Sequence, residues 1–203
     1  MAKLKNADLE AANQRLIGAA AGANVDAVKR ELAMGADIDA RRPESMGRTT
    51  ALMSAAYYDR EEIVELLIKK GASLELKDSL GSTALILAAR TNSTRSLDLL
   101  LKWGSDKDAR DETGMSAMMH SAYKDNIGAV RLLIRAGADP YAKSANGANA
   151  SDCAGSPEMK AEIDEYMQVL KKLENGLVSK GLQLSALVRA ESVDEIVREL
   201  EGN

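Results

Sequence analysis

The chain has 203 residues, 27 of them basic and 31 acidic, for a net charge of −4. The two signs are interspersed, so no strong positive field exists to attract a phosphate backbone, and nucleic acid is excluded as an expected partner. Hydrophobic residues make up 45% of the chain but aromatic ones only 3%, with no Phe and three Pro, an all-helical profile rich in good helix formers.

The N-terminus, Met1-Ala2-Lys3-Leu4-Lys5-Asn6, turns polar before the apolar core of a signal peptide can form, and no run approaches the ~18 apolar residues of a membrane span. The expectation is a cytoplasmic chain with no membrane partner. A single cysteine, Cys153, permits no internal disulfide and fits a reducing compartment. Residues 7–22 read as a helix with Leu9, Ala12, Leu16 and Ala19-Ala20 along one side and polar residues along the other,.

From Thr50 one phrase is written three times at a spacing of 33 residues. It runs from Thr50-Ala51-Leu52 and Ala55-Ala56 through Leu66-Leu67-Ile68 to Gly71-Ala72-Ser73. It returns from Thr83-Ala84-Leu85 and Ala88-Ala89 through Leu99-Leu100-Leu101 to Gly104-Ser105-Asp106, and again from Ser116-Ala117-Met118 and Ser121-Ala122 through Leu132-Leu133-Ile134 to Gly137-Ala138-Asp139. The small pairs let first helices approach closely. Ile63-Val64-Leu67-Ile68 and its counterparts form an apolar stripe of helical period on the second helix. Gly71, Gly104 and Gly137 stop that helix, because a left-handed residue past a helix end costs glycine least. No copy can bury its stripe alone, so neighbouring copies must stack.

A 33-residue unit with this order of words resembles the ankyrin repeat,. The resemblance implies an all-α solenoid of stacked helix-turn-helix units with β-turn fingers, serving as a scaffold for protein binding and not as an enzyme. It departs from the family at Ala51, Ala84 and Ala117 in place of Pro, and at Met53, Ile86 and Met119 in place of the His that ties the turn, which implies a softer turn. Taking Leu16 as the start of a copy puts Ala19-Ala20 and Gly35-Ala36-Asp37 in phase, so residues 7–38 read as an N-terminal cap repeat with a hydrophilic outer side,; an unrelated N-terminal helix is the alternative. Gly35 to Gly71 spans 36 residues, three more than the period. The surplus falls in an enlarged finger, 41–49, of the repeat 39–71, carrying Arg41, Arg42, Arg48 and Met46. It is either a partner-contacting loop or a solvated insertion.

The repeats 72–104 and 105–137 are regular, and 138–175 is distorted: Ser151 replaces Leu, Ala154-Gly155 replaces the double Ala, and Ser156-Pro157 opens a long helix that Asn175-Gly176 is expected to end. The stretch Ser192 to Leu200 aligns without gaps on Asn24 to Leu32. Ser192 and Glu195 form a capping-box signature, so 176–203 reads as a degenerate C-terminal cap. A free helix or a dimerisation segment is the competing view.

Chemistry is scarce in this sequence. His120 is the only histidine and reads as partly packed. Cys153 lacks a second cysteine or a nearby His for a metal or nucleophile site. Glu61, Glu62 and Glu65 fall on an exposed helix side, with Glu65 placed i,i+4 to Lys69. No cofactor, metal or catalytic residue is expected. In proteins resembling this one, partners are gripped by turn tips and by the exposed ends of the first helices, which line a concave groove. Carried over by position, those residues are Tyr57, Tyr58, Arg90, Thr91, Tyr123 and Lys124. The tips add Ser79, Leu80 and Ser82, then Glu112, Thr113 and Met115, and the enlarged finger adds Arg42, Met46 and Arg48. Tyr and Arg offer large contact area with a polar handle; the bland reading is that the tyrosines only pack beside the Ala pairs. The expected activity is non-catalytic binding of a protein partner by a chain monomeric on its own. Docking of an enzyme through the C-terminal helices is the first alternative, and a small-molecule or metal-dependent helical enzyme a more distant one.

Overall fold

The computed structural model describes residues 6–179. Nine α-helices follow one another among these residues, with no named strand: α1 Asn6–Ala21, α2 Val25–Ala33, α3 Ala51–Tyr57, α4 Glu61–Lys69, α5 Ala84–Arg90, α6 Thr94–Lys102, α7 Ala117–Tyr123, α8 Ile127–Arg135 and α9 Pro157–Ser179. The first eight form antiparallel pairs. Each first helix packs on the next, α1 on α3, α3 on α5 and α5 on α7, and the second helices α4, α6 and α8 pack likewise.

The Thr-x-Leu words are caps. The hydroxyls of Thr50, Thr83 and Ser116 accept hydrogen bonds from the backbone N–H groups of Met53, Ile86 and Met119, satisfying donors that the helix leaves open. On the second helices, Asn24 and Asn126 do the same for Ala27 and Ala129. The small pairs are buried in the seam, with Ala55, Ala56, Ala88, Ala89 and Ala122 at 0% exposure. One core then runs the length of the stack, from Leu16 and Ile17 through Leu52, Leu67, Leu85, Leu100 and Met118 to Met159 and Ile163. Along α1, Ala12, Leu16 and Ala20 are buried while Asp8, Glu10 and Arg15 are exposed, so the first pair presents an apolar side inward and a polar side outward.

Between pairs the chain turns through fingers at 41–49, 77–82, 110–115 and 143–148. Each closes on itself: Asp78 N–H donates to the Ser82 carbonyl (3.0 Å), Asp111 to Met115 (3.1 Å) and Ser144 to Ala148 (2.9 Å). Each finger also bonds to its neighbour, Ser79 N–H to Gly47 (3.0 Å), Glu112 to Leu80 (3.0 Å) and Ala145 to Thr113 (2.9 Å). A row of basic side chains strengthens this wall. Arg41 donates to the carbonyl of Lys77, Lys77 to that of Arg110, and Arg110 to that of Lys143. A row of carboxylates runs beside it: Asp39 accepts from Ser73, Glu75 from the Asp106 N–H, and Asp108 from the Asp139 N–H. Repetition of sequence has become repetition of bonding, each level holding the next by the same contact.

The fourth copy departs from the others. Its first helix is reduced to a turn at 150–153. Gly155 takes the place of the second Ala of the pair because a Cβ there would lie 2.8 Å from Asp125 Oδ2 and 2.9 Å from the Tyr123 carbonyl. The hydroxyl of Ser156 caps α9 by accepting from the Met159 N–H. At 23 residues, α9 is far longer than the nine of α4, α6 or α8. It does not stop at Asn175-Gly176 as the sequence suggests but runs to Ser179. A single internal glycine costs a helix only about 1 kcal/mol, which propagation through neighbouring turns absorbs. Arg131 clamps Glu162 through two bonds (2.7 and 3.1 Å), and Tyr141 donates to the Met167 carbonyl (2.6 Å). Tyr166 is buried beneath, its phenol pushed up to about 12 by burial and then by Asp108, Asp139 and Tyr141. Of the expected C-terminal cap, 176–203, residues 176–179 continue α9 and 180–203 lie outside the described residues.

Candidate functional site

Where the fingers meet the ends of the first helices, side chains from three successive copies line a cavity of about 320 Å³. Met53, Tyr57 and Tyr58 come from α3, Arg42 and Met46 from the enlarged finger, Asp78 and Leu80 from the next finger, and Leu87 and Arg90 from α5. Six of the residues picked from sequence thus share one groove: Arg42, Met46, Tyr57, Tyr58, Leu80 and Arg90. Capping dictates this convergence. Thr50 and Thr83 start α3 and α5 at the base of a finger, so each helix ends seven residues later with its last side chains beside the finger wall.

The apolar members are open to solvent. Tyr57 is 43% exposed, Tyr58 51%, Leu80 53% and Met46 60%, the last held forward by a single 3-10 turn, Glu44–Met46. The two tyrosine rings meet edge to face with centroids 4.9 Å apart. The Arg60 guanidinium lies 5.9 Å from the Tyr58 ring centre while donating to the Ala21 carbonyl (3.2 Å). Each ring therefore has a neighbour in the free chain, Tyr57 against Tyr58 and Tyr58 also against Arg60,.

The remaining expected residues separate into three situations. Tyr123 and Lys124 are exposed one copy further on, the ammonium 5.6 Å from the ring centre. Arg48 pairs with Glu44 (3.4 Å) outside the cavity lining, and Glu112 and Thr113 are exposed on the next finger tip. Ser82 is not on the open surface of its tip: it is fully buried, its N–H donating to Asp78 (2.8 Å) and its hydroxyl accepting from Arg90 (3.5 Å). Thr91 and Met115 are half-buried. The Thr91 hydroxyl donates to the Leu87 carbonyl (3.0 Å) and meets Ser93 (2.9 Å), and Met115 packs against the core.

The turn that Met53, Ile86 and Met119 were expected to leave soft has another tie. One carboxylate oxygen of Asp78 accepts from the N–H groups of Leu80 and Ser82, and Asp111 accepts from Thr113 and Met115. In the third copy the other Asp111 oxygen meets His120 Nε2 at 2.8 Å. Burial lowers the His120 pKa, and Arg90 and Lys124 lower it further against the opposing pull of Asp111. Burial would raise Asp111, but hydrogen bonds from Thr113, His120 and Met115 and the charge of His120 outweigh it, so the carboxyl lies below its ordinary value. The folded state therefore favours neutral His120, donating from Nε2. Its contribution is complete above the ordinary value of 6.5 and is lost as pH falls from there toward the depressed folded value, since protons then bind the unfolded chain more readily. Urea denaturation of the native chain is expected to show falling stability on going from about pH 7.5 to about pH 5. His120→Gln, which keeps a donor but does not titrate, is expected to flatten that segment of the profile.

No expected catalytic feature gathers in this groove. Cys153 is half-buried and free; burial pushes its thiol up and the Asp152 charge adds to this, which disfavours a thiolate nucleophile. Among the described residues no three His, Cys, Asp or Glu side chains lie close enough to hold a metal ion, and no helix is long and apolar enough to cross a membrane. Glu65 pairs with Lys69 at 2.7 Å on the exposed side of α4. A second cavity of about 500 Å³ lies between the C-terminal ends of α2 and α4, with Leu32, Ala36, Ile38 and Leu66 in its lining, and includes none of the expected site residues.

Sequence reading alone missed the part of Asp78 in shaping the groove and the basic row of Arg41, Lys77 and Arg110. The row did leave a signal: Lys77 and Arg110 are spaced by the 33-residue period. No curated protein matches the chain. A family model described as ankyrin repeats, in three copies, matches residues 16–111 and 75–144, which together span more than half of the 203 residues. Stacked helix pairs, hydrogen-bonded fingers and this match agree that the chain belongs to the ankyrin repeat family.

Proposed function

We propose that this chain is a non-catalytic binding module that takes a protein partner on its concave, finger-side face, with the groove of Arg42, Met46, Tyr57, Tyr58, Leu80 and Arg90 as anchor and Tyr123 and Lys124 extending the surface. Ankyrin repeats are in general protein-protein interaction modules, and that use carries over to this chain at its coarsest level. The observation that carries the finer reading is the cavity of about 320 Å³ whose lining includes six of the residues expected at finger tips and first-helix ends. The groove's exposed tyrosines meet edge to face, with Arg60 beside Tyr58; tyrosine and arginine are the side chains that most often dominate binding energy, and the stack behind them supplies rigidity at no cost to the partner.

The test is a pull-down with the native chain and with Tyr57→Ala/Tyr58→Ala/Tyr123→Ala. All three side chains are exposed, so the helical circular dichroism should be unchanged while recovery of the partner falls by about tenfold or more, as loss of central anchors does. Undiminished recovery of every captured protein would remove the concave face as the binding surface.

A further inference from the structure

The anchor groove has a charge as well as a shape. Its lining includes two guanidinium groups, Arg42 and Arg90, and one carboxylate, Asp78. One oxygen of Asp78 is already occupied by the N–H groups of Leu80 and Ser82. Among the described residues neither arginine is paired with a carboxylate, Arg90 reaching only the Ser82 hydroxyl at 3.5 Å. The neighbouring Arg48 has Glu44, and Arg60 has the Ala21 carbonyl. A chain of net charge −4 thus carries a small positive site, and the apolar surfaces of Met46, Leu80, Tyr57 and Tyr58 stand beside it.

Resting on the binding-module reading, we infer that the groove takes an extended segment of its protein partner in which a single Asp or Glu side chain lies next to a large apolar one. The carboxylate meets Arg42 and Arg90, and the apolar side chain enters between Met46, Leu80 and the tyrosines. Two features select this occupant. The groove is lined from Ala21 of α1 to Arg90 of α5, across three copies, which suits a segment passing through and not a chain end. Two guanidinium groups against one carboxylate leave a net charge of one, matched by one carboxylate and exceeded by a phosphate group. Arginine also offers the paired donors that a carboxylate accepts.

A random 12-residue peptide library displayed on phage, panned on the full native chain, tests this. The expected enrichment is for an acidic residue adjacent to Leu, Ile, Met or an aromatic residue. Synthetic peptides of the enriched sequence should bind Arg42→Gln/Arg90→Gln about 10- to 100-fold more weakly, the loss of one charge-assisted contact or more. Replacing their acidic residue by its amide should have a similar effect. Arg42→Glu/Arg90→Glu should instead enrich Lys or Arg beside the same apolar residue, a gain that misfolding cannot imitate. Peptides whose binding needs Tyr57 and Tyr58 but ignores the arginines would overturn the carboxylate assignment and leave the binding groove standing. Enrichment of phosphate-mimicking acidic clusters would overturn the single-carboxylate assignment. Peptides indifferent to both sets, or no groove-dependent peptide at all, would overturn both readings. A concentration-dependent dimer dissociated by Arg42→Gln/Arg90→Gln would show a second copy as the occupant, and would overturn the inference as well.

Discussion

Leu100→Ala is expected to destabilise the array by about 2 to 5 kcal/mol in urea denaturation, with little change in the dependence on denaturant. Leu100 is at 0% exposure on α6, and α6 is enclosed by its own partner α5 and by α4 and α8 on either side. Removing the isobutyl group loses its transfer energy and leaves a void that neighbours must fill. They are poorly placed to do so, because the Ala pairs between packed first helices are already fully buried and backbone bonds between fingers tie each copy to the next. A central position matters too: damage at an end can fray one pair, whereas damage here weakens the interfaces with both neighbours. Leu101, one residue later and only half-buried, should cost less when truncated. A loss well under about 1 kcal/mol for Leu100→Ala would mean that the copies do not derive their stability from stacking.

Much of the fold is legible in the sequence because stacking imposes the same demand at every level. A cap, a small pair, an apolar stripe and a glycine must each recur wherever a helix pair repeats, and they recur at 33 residues from Thr50 to Gly137. Legibility fails where one copy stops copying its neighbours. Asn175-Gly176 has the composition of a helix stop, yet α9 runs past it to Ser179, since composition gives only a local preference and a long helix already formed outweighs it. The turn at 150–153 is a milder case, visible as Ser151 and Gly155 in place of Leu and Ala.

The candidate groove is legible only in its residue types. Position within the repeat was enough to select Tyr57, Tyr58 and Arg90, because the ends of first helices occupy equivalent places. What joins them to Arg42 and Met46 is the three-residue enlargement of one finger, and no local pattern states how far that finger leans. Ser82 and Thr91 lie deeper than their place in the repeat suggests. Both are small polar residues in positions that suggest a surface, and both are drawn inward by bonds to Asp78, Arg90 and a helix carbonyl. His120 is partly packed, as its place in the repeat implies; its pairing with Asp111 nine residues earlier depends on the finger folding back over its own helix, which the spacing alone does not specify.

The finger wall carries the groove, and three glycine substitutions test it directly: Gly81→Ala and Gly114→Ala are each expected to cost about 2 to 4 kcal/mol, while Gly147→Ala costs about 1 to 2. All three glycines have positive φ, +73° for Gly81 and Gly114 and +85° for Gly147, so an L residue meets the left-handed penalty at each. They differ in what stands opposite. A Cβ on Gly81 would lie 2.8 Å from the Glu112 nitrogen, and one on Gly114 2.8 Å from the Ala145 nitrogen, whereas nothing lies within 4 Å of one on Gly147. Those nitrogens are the donors of the bonds between fingers, to the carbonyls of Leu80 and Thr113. Alanine at 81 or 114 must push the next finger away and break the bond, and at 81 it shifts Leu80 and with it one side of the anchor groove. Hydrogen exchange separates the two effects: the Glu112 amide should lose protection in Gly81→Ala and the Ala145 amide in Gly114→Ala, while both stay protected in Gly147→Ala. Equal losses of stability at all three glycines would mean that the fingers are held by their own turns alone, and that the wall of the groove is not one continuous structure.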